Sequence, residues 1–146
     1  MPAGFDGFLS RDLTLRKVGM DVSADPQPVV LLVDDDSNVL SALCRSLRRE
    51  AIRVETAKNG REALTRLAED SVDLVVSDQK MPGMQGVALL KTIRARWPEV
   101  QRILLSGWTS GIPEADLEAA GLFCVITKPW DDADLRRSIR RAVGIE

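Results

Sequence analysis

Histidine is missing from all 146 residues. That absence excludes Ser-His-Asp catalysis, the usual zinc sites and any phosphohistidine formed within this chain. Cysteine is nearly as scarce: Cys44 and Cys124 stand far apart, each inside an apolar segment. They read as two small buried thiols in a reduced, cytoplasmic setting rather than as a bridge. Long hydrophobic runs are lacking too, and a stretch such as Val29-Val30-Leu31-Leu32-Val33 is far too short to cross a bilayer. The N-terminus lacks the basic region and apolar stretch of a secretory signal. The net charge of −2 argues against a general nucleic-acid surface. Chemistry must therefore rest on carboxylates, lysine, hydroxyls and, where needed, a hard metal ion.

What is present is a regular alternation. Residues 1–27 stand apart as an N-terminal extension or linker, Gly-rich at Met1–Gly7 and linker-like at Asp21–Pro28. From Val29 onward, short apolar runs predict strands at Val29–Val33, Ile52–Ala57, Val72–Ser77, Gln101–Ser106 and Leu122–Thr127. Amphipathic segments fit between them. The first helix has Ser37 as N-cap and Leu40, Leu43 and Leu47 on one face. The second follows Asn59-Gly60 with Ala63, Leu64 and Leu67, and the third runs from about Gly86 to Trp97, stopping before Pro98. A fourth starts near Pro113, and the last, from about Asp131, buries Leu135, Ile139, Ala142 and Val143. This pattern predicts an α/β fold: a doubly wound, five-stranded parallel sheet within a three-layer sandwich. In such sheets ligands sit beyond the carboxyl ends of the strands.

Those ends carry Asp34-Asp35-Asp36 after the first strand, Asp78 after the third, Ser106 after the fourth and Lys128-Pro129 after the fifth. Carboxylates, a hydroxyl and an ammonium on one rim suit magnesium-assisted phosphoryl transfer. Carboxylate oxygens hold a hard cation, the cation and lysine balance phosphoryl charge, and the hydroxyl directs a hydrogen bond. Each element alone has a plainer reading. The aspartate run can simply favour a helix N-terminus, Asp78 and Ser106-Gly107 can be turn residues, and Lys128 can be a solvated strand end.

Taken together, Val29–Leu40, Val72–Leu90 with Ser77-Asp78-Gln79-Lys80-Met81-Pro82-Gly83, Ile103–Gly107 and Ile126-Thr127-Lys128-Pro129-Trp130 resemble the receiver (CheY-like) domain of bacterial two-component response regulators. The resemblance covers about residues 28–144 and implies a receiver domain over 28–146, flavodoxin-like with strand order 2-1-3-4-5. It further implies that Asp78 accepts a phosphoryl group from a sensor histidine kinase or phosphotransfer protein. Asp35 and Asp78 would bind Mg2+ (or Mn2+), with the Lys80 backbone carbonyl as a further ligand and Asp34 acting indirectly. Ser106 and Lys128 would contact the phosphoryl oxygens, and Pro129 would follow a cis peptide bond that aims the lysine. Lys80 and Trp108 occupy positions that tune phosphoryl lifetime in the family.

The resemblance also has a gap. The switch aromatic of many relatives is replaced by Val125, with Phe123 two residues earlier on the same strand face as a partial substitute. Arg136, Arg137, Arg140 and Arg141 read either as a solvated face of the last helix or as a docking surface that pairs with Glu114, Asp116 and Glu118. A homodimer through the last two helices and last strand is one partner implied; a downstream protein target or fused output domain is another. The chain ends at Glu146, which fits a stand-alone receiver or a piece of a longer protein, and Lys128–Asp132 resembles receivers fused to cyclic-dinucleotide enzymes. No direct contact with nucleic acid or membrane is expected, nor turnover of external substrates. Two rival readings stay open: a haloacid-dehalogenase-type phosphatase using Asp34, since Asp34-x-Asp36 mimics that motif, and a phosphorylation-independent adaptor.

Overall fold

The computed structural model describes residues 26–107 and 109–145. Most of the 1–27 extension therefore lies outside the described residues. The elements run β1 (Val29–Val33), α1 (Ser37–Leu47), β2 (Arg53–Ala57), α2 (Gly60–Glu69), β3 (Leu74–Asp78), α3 (Gly86–Arg96), β4 (Gln101–Ser106), α4 (Glu114–Ala120), β5 (Cys124–Thr127) and α5 (Asp132–Val143). All strand pairings are parallel, in the order β2-β1-β3-β4-β5. The fold class and strand order are those expected, and among the described residues no helix is long and apolar enough to cross a membrane.

Successive strand side chains point to opposite faces, so each central strand feeds two cores. Leu31, Val33, Val75 and Leu104 meet Ala63, Leu67, Leu89, Leu90 and Ile93 on the α2–α3 side. Val30, Leu32, Val76, Ile103 and Leu105 meet Leu40, Leu43, Leu47, Leu135 and Ile139 on the α1–α5 side. Burial on both faces is why β1, β3 and β4 read as continuous apolar runs. Val143 only lines the second core at its margin, and Cys44 and Cys124 are free, half-buried thiols beside it.

Element boundaries shift for local polar reasons. β3 begins at Leu74 rather than Val72, because Asp73 turns its carboxylate onto the Val29 amide at 2.8 Å. β5 begins at Cys124 rather than Leu122, after Gly121 ends α4 in the left-handed region at φ 58°. Asp36, not Ser37, is the N-cap of α1; its side chain accepts the Asn38 N–H. Pro113 and Asp131 likewise stand one residue ahead of their helices as caps.

The last-helix arginines take partners other than those expected. Arg140 grips Glu50 through two bonds of 2.6 and 2.9 Å, Arg136 approaches the same carboxylate at 3.9 Å, and Arg137 pairs with Asp134. Asp116 instead binds Lys91 of α3 at 3.0 Å. A two-toothed guanidinium–carboxylate contact needs α1 and α5 side by side, which sequence distance conceals.

Arg140, reinforced by Arg136, holds the Glu50 carboxyl below its ordinary range, against the opposing pull of burial. A carboxyl with a depressed folded pKa adds stability above its unfolded pKa and loses it as pH falls through the folded one. Glu50→Gln should therefore cost about 1 kcal/mol at neutral pH. The gap to wild type should close under acid, as read by urea denaturation across pH.

Candidate functional site

Four strand ends converge. β1 delivers Asp34, which is 1% exposed; its Oδ1 accepts the Asp36 N–H at 2.9 Å while its own N–H bonds the Ala57 carbonyl. On the neighbouring strand, β3 ends in Asp78, 6% exposed. β4 ends in buried Ser106, whose carbonyl accepts the Lys128 N–H at 2.9 Å. Lys128 leaves β5 and lays its Nζ 2.7 Å from Asp78 Oδ1 and 3.3 Å from Asp34 Oδ2. The Lys128–Pro129 peptide is cis. Asp35 stands exposed on the rim, and one oxygen from each of Asp34, Asp35 and Asp78 falls within 4.8 Å of the others.

The electrostatics follow from burial. Desolvation is the largest influence on Asp34 and raises its pKa, with the nearby Asp78 charge adding to it; the Asp36 amide and Lys128 pull the other way without prevailing. Burial also pulls Lys128 down, but its bonds and charge contacts with Asp78 and Asp34 outweigh that, so its pKa is raised and its cation secured. Three hard oxygen donors with one ammonium between two of them leave net negative charge. A magnesium-sized cation fits that donor set.

The residue between Asp78 and Lys80 was legible only as part of a motif, yet it shapes the site. Gln79 is buried; its Oε1 accepts the Val87 N–H at 2.8 Å, its Nε2 donates to Gln85 Oε1 at 3.1 Å and its carbonyl accepts the Gly86 N–H at 3.0 Å. The loop is thereby sewn to the start of α3. Gly86 completes the fit, since a Cβ there would collide with the Asp78 backbone carbonyl. A glutamine between charged neighbours and a glycine opening a helix were the available signals.

The remaining predicted positions are dispersed. The Lys80 side chain is exposed in the loop beyond Asp78. Val125, outward on β5 with Thr127, is 40% exposed, and Phe123, just before that strand, is 39% exposed. Trp108 lies outside the described residues. Trp97 packs at the end of α3 and Trp130 beside α5.

Comparison with known proteins gives one picture. The family model for the response regulator receiver domain matches residues 30–140. The chain is 40% identical over 121 residues to the hydrogenase transcriptional regulatory protein HoxA of Cupriavidus necator, covering 82% of this chain and 25% of that protein. It is 36% identical over 122 residues to the DNA-binding transcriptional regulator NtrC of Escherichia coli K12, covering 80% and 25%. The chain thus spans about a quarter of these relatives' length. Among solved structures, the signal receiver domain of an HD domain-containing protein from Pseudomonas fluorescens Pf-5 aligns with TM-score 0.78 and 32% identity, over 83% of this chain and 90% of that one. A CheY-like receiver from Methanospirillum hungatei JF-1 aligns with TM-score 0.76 and 28% identity, over 81% and 94%.

Removing the Gln79 amide would strand the Val87 N–H, so Gln79→Ala should cost about 1–3 kcal/mol. Gly86→Ala forces α3 off the Asp78 carbonyl and should cost a similar amount, about 1–3 kcal/mol. Urea midpoints of the two variants check both.

Proposed function

Because the chain belongs to the response regulator receiver domain family, we propose that it is a phosphorylation switch in which the Asp78 carboxylate is the phosphoryl acceptor. The observation that carries this reading is the 2.7 Å contact between Lys128 Nζ and Asp78 Oδ1, with Asp34 and Asp35 alongside.

In the proposed step, an Asp78 oxygen attacks phosphorus while the bond to the donor's leaving nitrogen breaks, and an acyl phosphate remains on Asp78. The leaving nitrogen belongs to a phosphohistidine of a sensor kinase or phosphotransfer protein, since this chain has no histidine of its own. A loose transition state asks for position and charge compensation rather than a strong nucleophile. Lys128 supplies a fixed positive charge that can follow the incoming phosphoryl oxygens. Ser106 offers a hydroxyl at the neighbouring strand end. Asp35, Asp78 and the Lys80 carbonyl would hold Mg2+ or Mn2+, with Asp34 indirect, and the cation would neutralise phosphoryl charge. Lys80 and Trp108 would set the lifetime of the product by controlling water.

Phosphorylation would then alter contacts with a downstream protein or a fused output domain. The outward Phe123 and Val125, between the last two helices, offer a surface for that or for a second copy. The site serves this chain's own modification and hydrolysis rather than turnover of outside substrates. The phosphatase reading has no comparable support: the family match over residues 30–140 is to the receiver domain, and both Asp34 carboxylate oxygens are already engaged, by the Asp36 N–H and by Lys128.

Incubation with a small phosphodonor and Mg2+ should add one phosphoryl group in intact-mass spectra, and Asp78→Ala should abolish it. An adduct that persists in Asp78→Ala would sink the assignment, and unchanged partner affinity in that variant would favour the adaptor reading.

Magnesium at a hundredfold excess over its dissociation constant should stabilise the protein by about 2.7 kcal/mol. Asp35→Asn should remove most of that gain in thermal melts, and excess chelator should block the adduct.

A further inference from the structure

The loop that carries Lys128 is fastened at both ends. On one side the Lys128 N–H bonds the Ser106 carbonyl at 2.9 Å. On the other, two residues along, Trp130 and Asp132 reach across to α1. Trp130 Nε1 donates to Asp132 Oδ1 at 3.0 Å and lies 3.4 Å from Ser46 Oγ, and that hydroxyl stands 2.7 Å from the same Asp132 oxygen. A charged acceptor makes the Ser46–Asp132 bond stronger than the hydroxyl's alternative, the Ala42 carbonyl at 3.1 Å. Arg136 adds a bond from its guanidinium to the Ser46 carbonyl at 3.3 Å. The indole itself packs against the core beneath α1 and α5.

Helix capping does not account for this clasp. Asp131 is the N-cap of α5 and accepts the Asp134 N–H, so Asp132 is free of that duty. Its carboxyl titrates below the ordinary range chiefly because of the Ser46 hydroxyl, with Trp130 and Arg136 contributing. None of the three side chains touches Asp78. They act on the segment whose displacement would carry Lys128 Nζ away from both carboxylates.

We propose that Ser46, Trp130 and Asp132 are positioning residues for the phosphoryl-accepting site, fixing residues 128–132 on α1 and so holding Lys128 against Asp78. The proposal rests on Asp78 being the acceptor. It also gives the Trp-Asp-Asp stretch after Lys128-Pro129 a physical role that phosphoryl chemistry alone leaves unassigned.

The test is a double-mutant cycle on the rate of Asp78 phosphorylation by acetyl phosphate with saturating Mg2+, followed by intact mass. Asp132→Ala should slow the reaction about 3- to 10-fold, less than the ~100-fold attributed to a full ångström of misplacement. Asp132→Asn, whose amide oxygen still accepts both bonds, should recover most of the rate. Asp134→Ala, two residues along α5 and outside the clasp, should match wild type. In a Lys128→Ala background, Asp132→Ala should add no further loss, because the group it positions is gone. An equal loss in both backgrounds would mark a general structural role and overturn the proposal. So would a wild-type rate in Asp132→Ala. Should Asp132→Ala melt too low to assay, Trp130→Phe, which keeps the ring and deletes the donor, runs the same cycle and decides the question. If wild type takes up no phosphoryl group on Asp78, the functional reading fails and the positioning role falls with it. If wild type does and the cycle is additive, only the positioning role falls.

Discussion

One ammonium bridging two buried carboxylates is the constraint around which the rest of this molecule is arranged. Asp34 and Asp78 are both nearly inaccessible to water and both approached by Lys128. Without that cation, two acids so placed would repel each other across a medium of low dielectric and resist ionisation. With it, one positive charge is shared between them and a negative remainder persists on the side facing Asp35. Burial of the pair is thus only half compensated. That residual charge makes the rim receptive both to a hard cation and to an electrophile that arrives with its own counter-charge.

The architecture exists to make this meeting possible. Asp34 and Asp78 end the neighbouring strands β1 and β3, while Lys128 follows β5, one strand further across the sheet beyond β4. Parallel strands place all their carboxyl ends on one edge, and crossover helices return the chain each time to the opposite edge. Two apolar cores, one on each side of the sheet, leave the strands no register but the one that brings those ends level. The loops above then need little length of their own. Gln79 and Gly86 show how the loop after β3 is held by direct bonding and close backbone approach.

Much of this was legible in the linear chain, because period-two and period-3.6 patterns report burial directly. The strands, the helices and the four converging strand ends were visible for that reason. What escaped were polar contacts between residues distant in sequence. Ser37 reads as the cap that Asp36 in fact provides, because capping depends on backbone angles that composition does not record. The partner of Arg140 was sought on α4 because opposite charges cluster there, whereas spatial adjacency puts Glu50 beneath it. The clasp of Ser46 with Asp132 spans 86 residues, and no local pattern marks a serine for such a bond.

Helix α4 is held differently from its neighbours. It has seven residues and buries only Ala120 fully, while buried Arg102 donates to the carbonyls of Ala120 and Gly121, and Arg94 to those of Glu118 and Ala119. Its C-terminal end is therefore moored by guanidinium groups from β4 and α3, while its middle is tied to α3 by Asp116 and Lys91 and leans on the core through half-buried Leu117. An element held mostly by directional bonds, densest at one end, has a pivot rather than a seat. Tilting it about that end strands no carbonyl there and disturbs one fully buried side chain, where every other helix would disturb at least three buried residues, so reorientation costs least here.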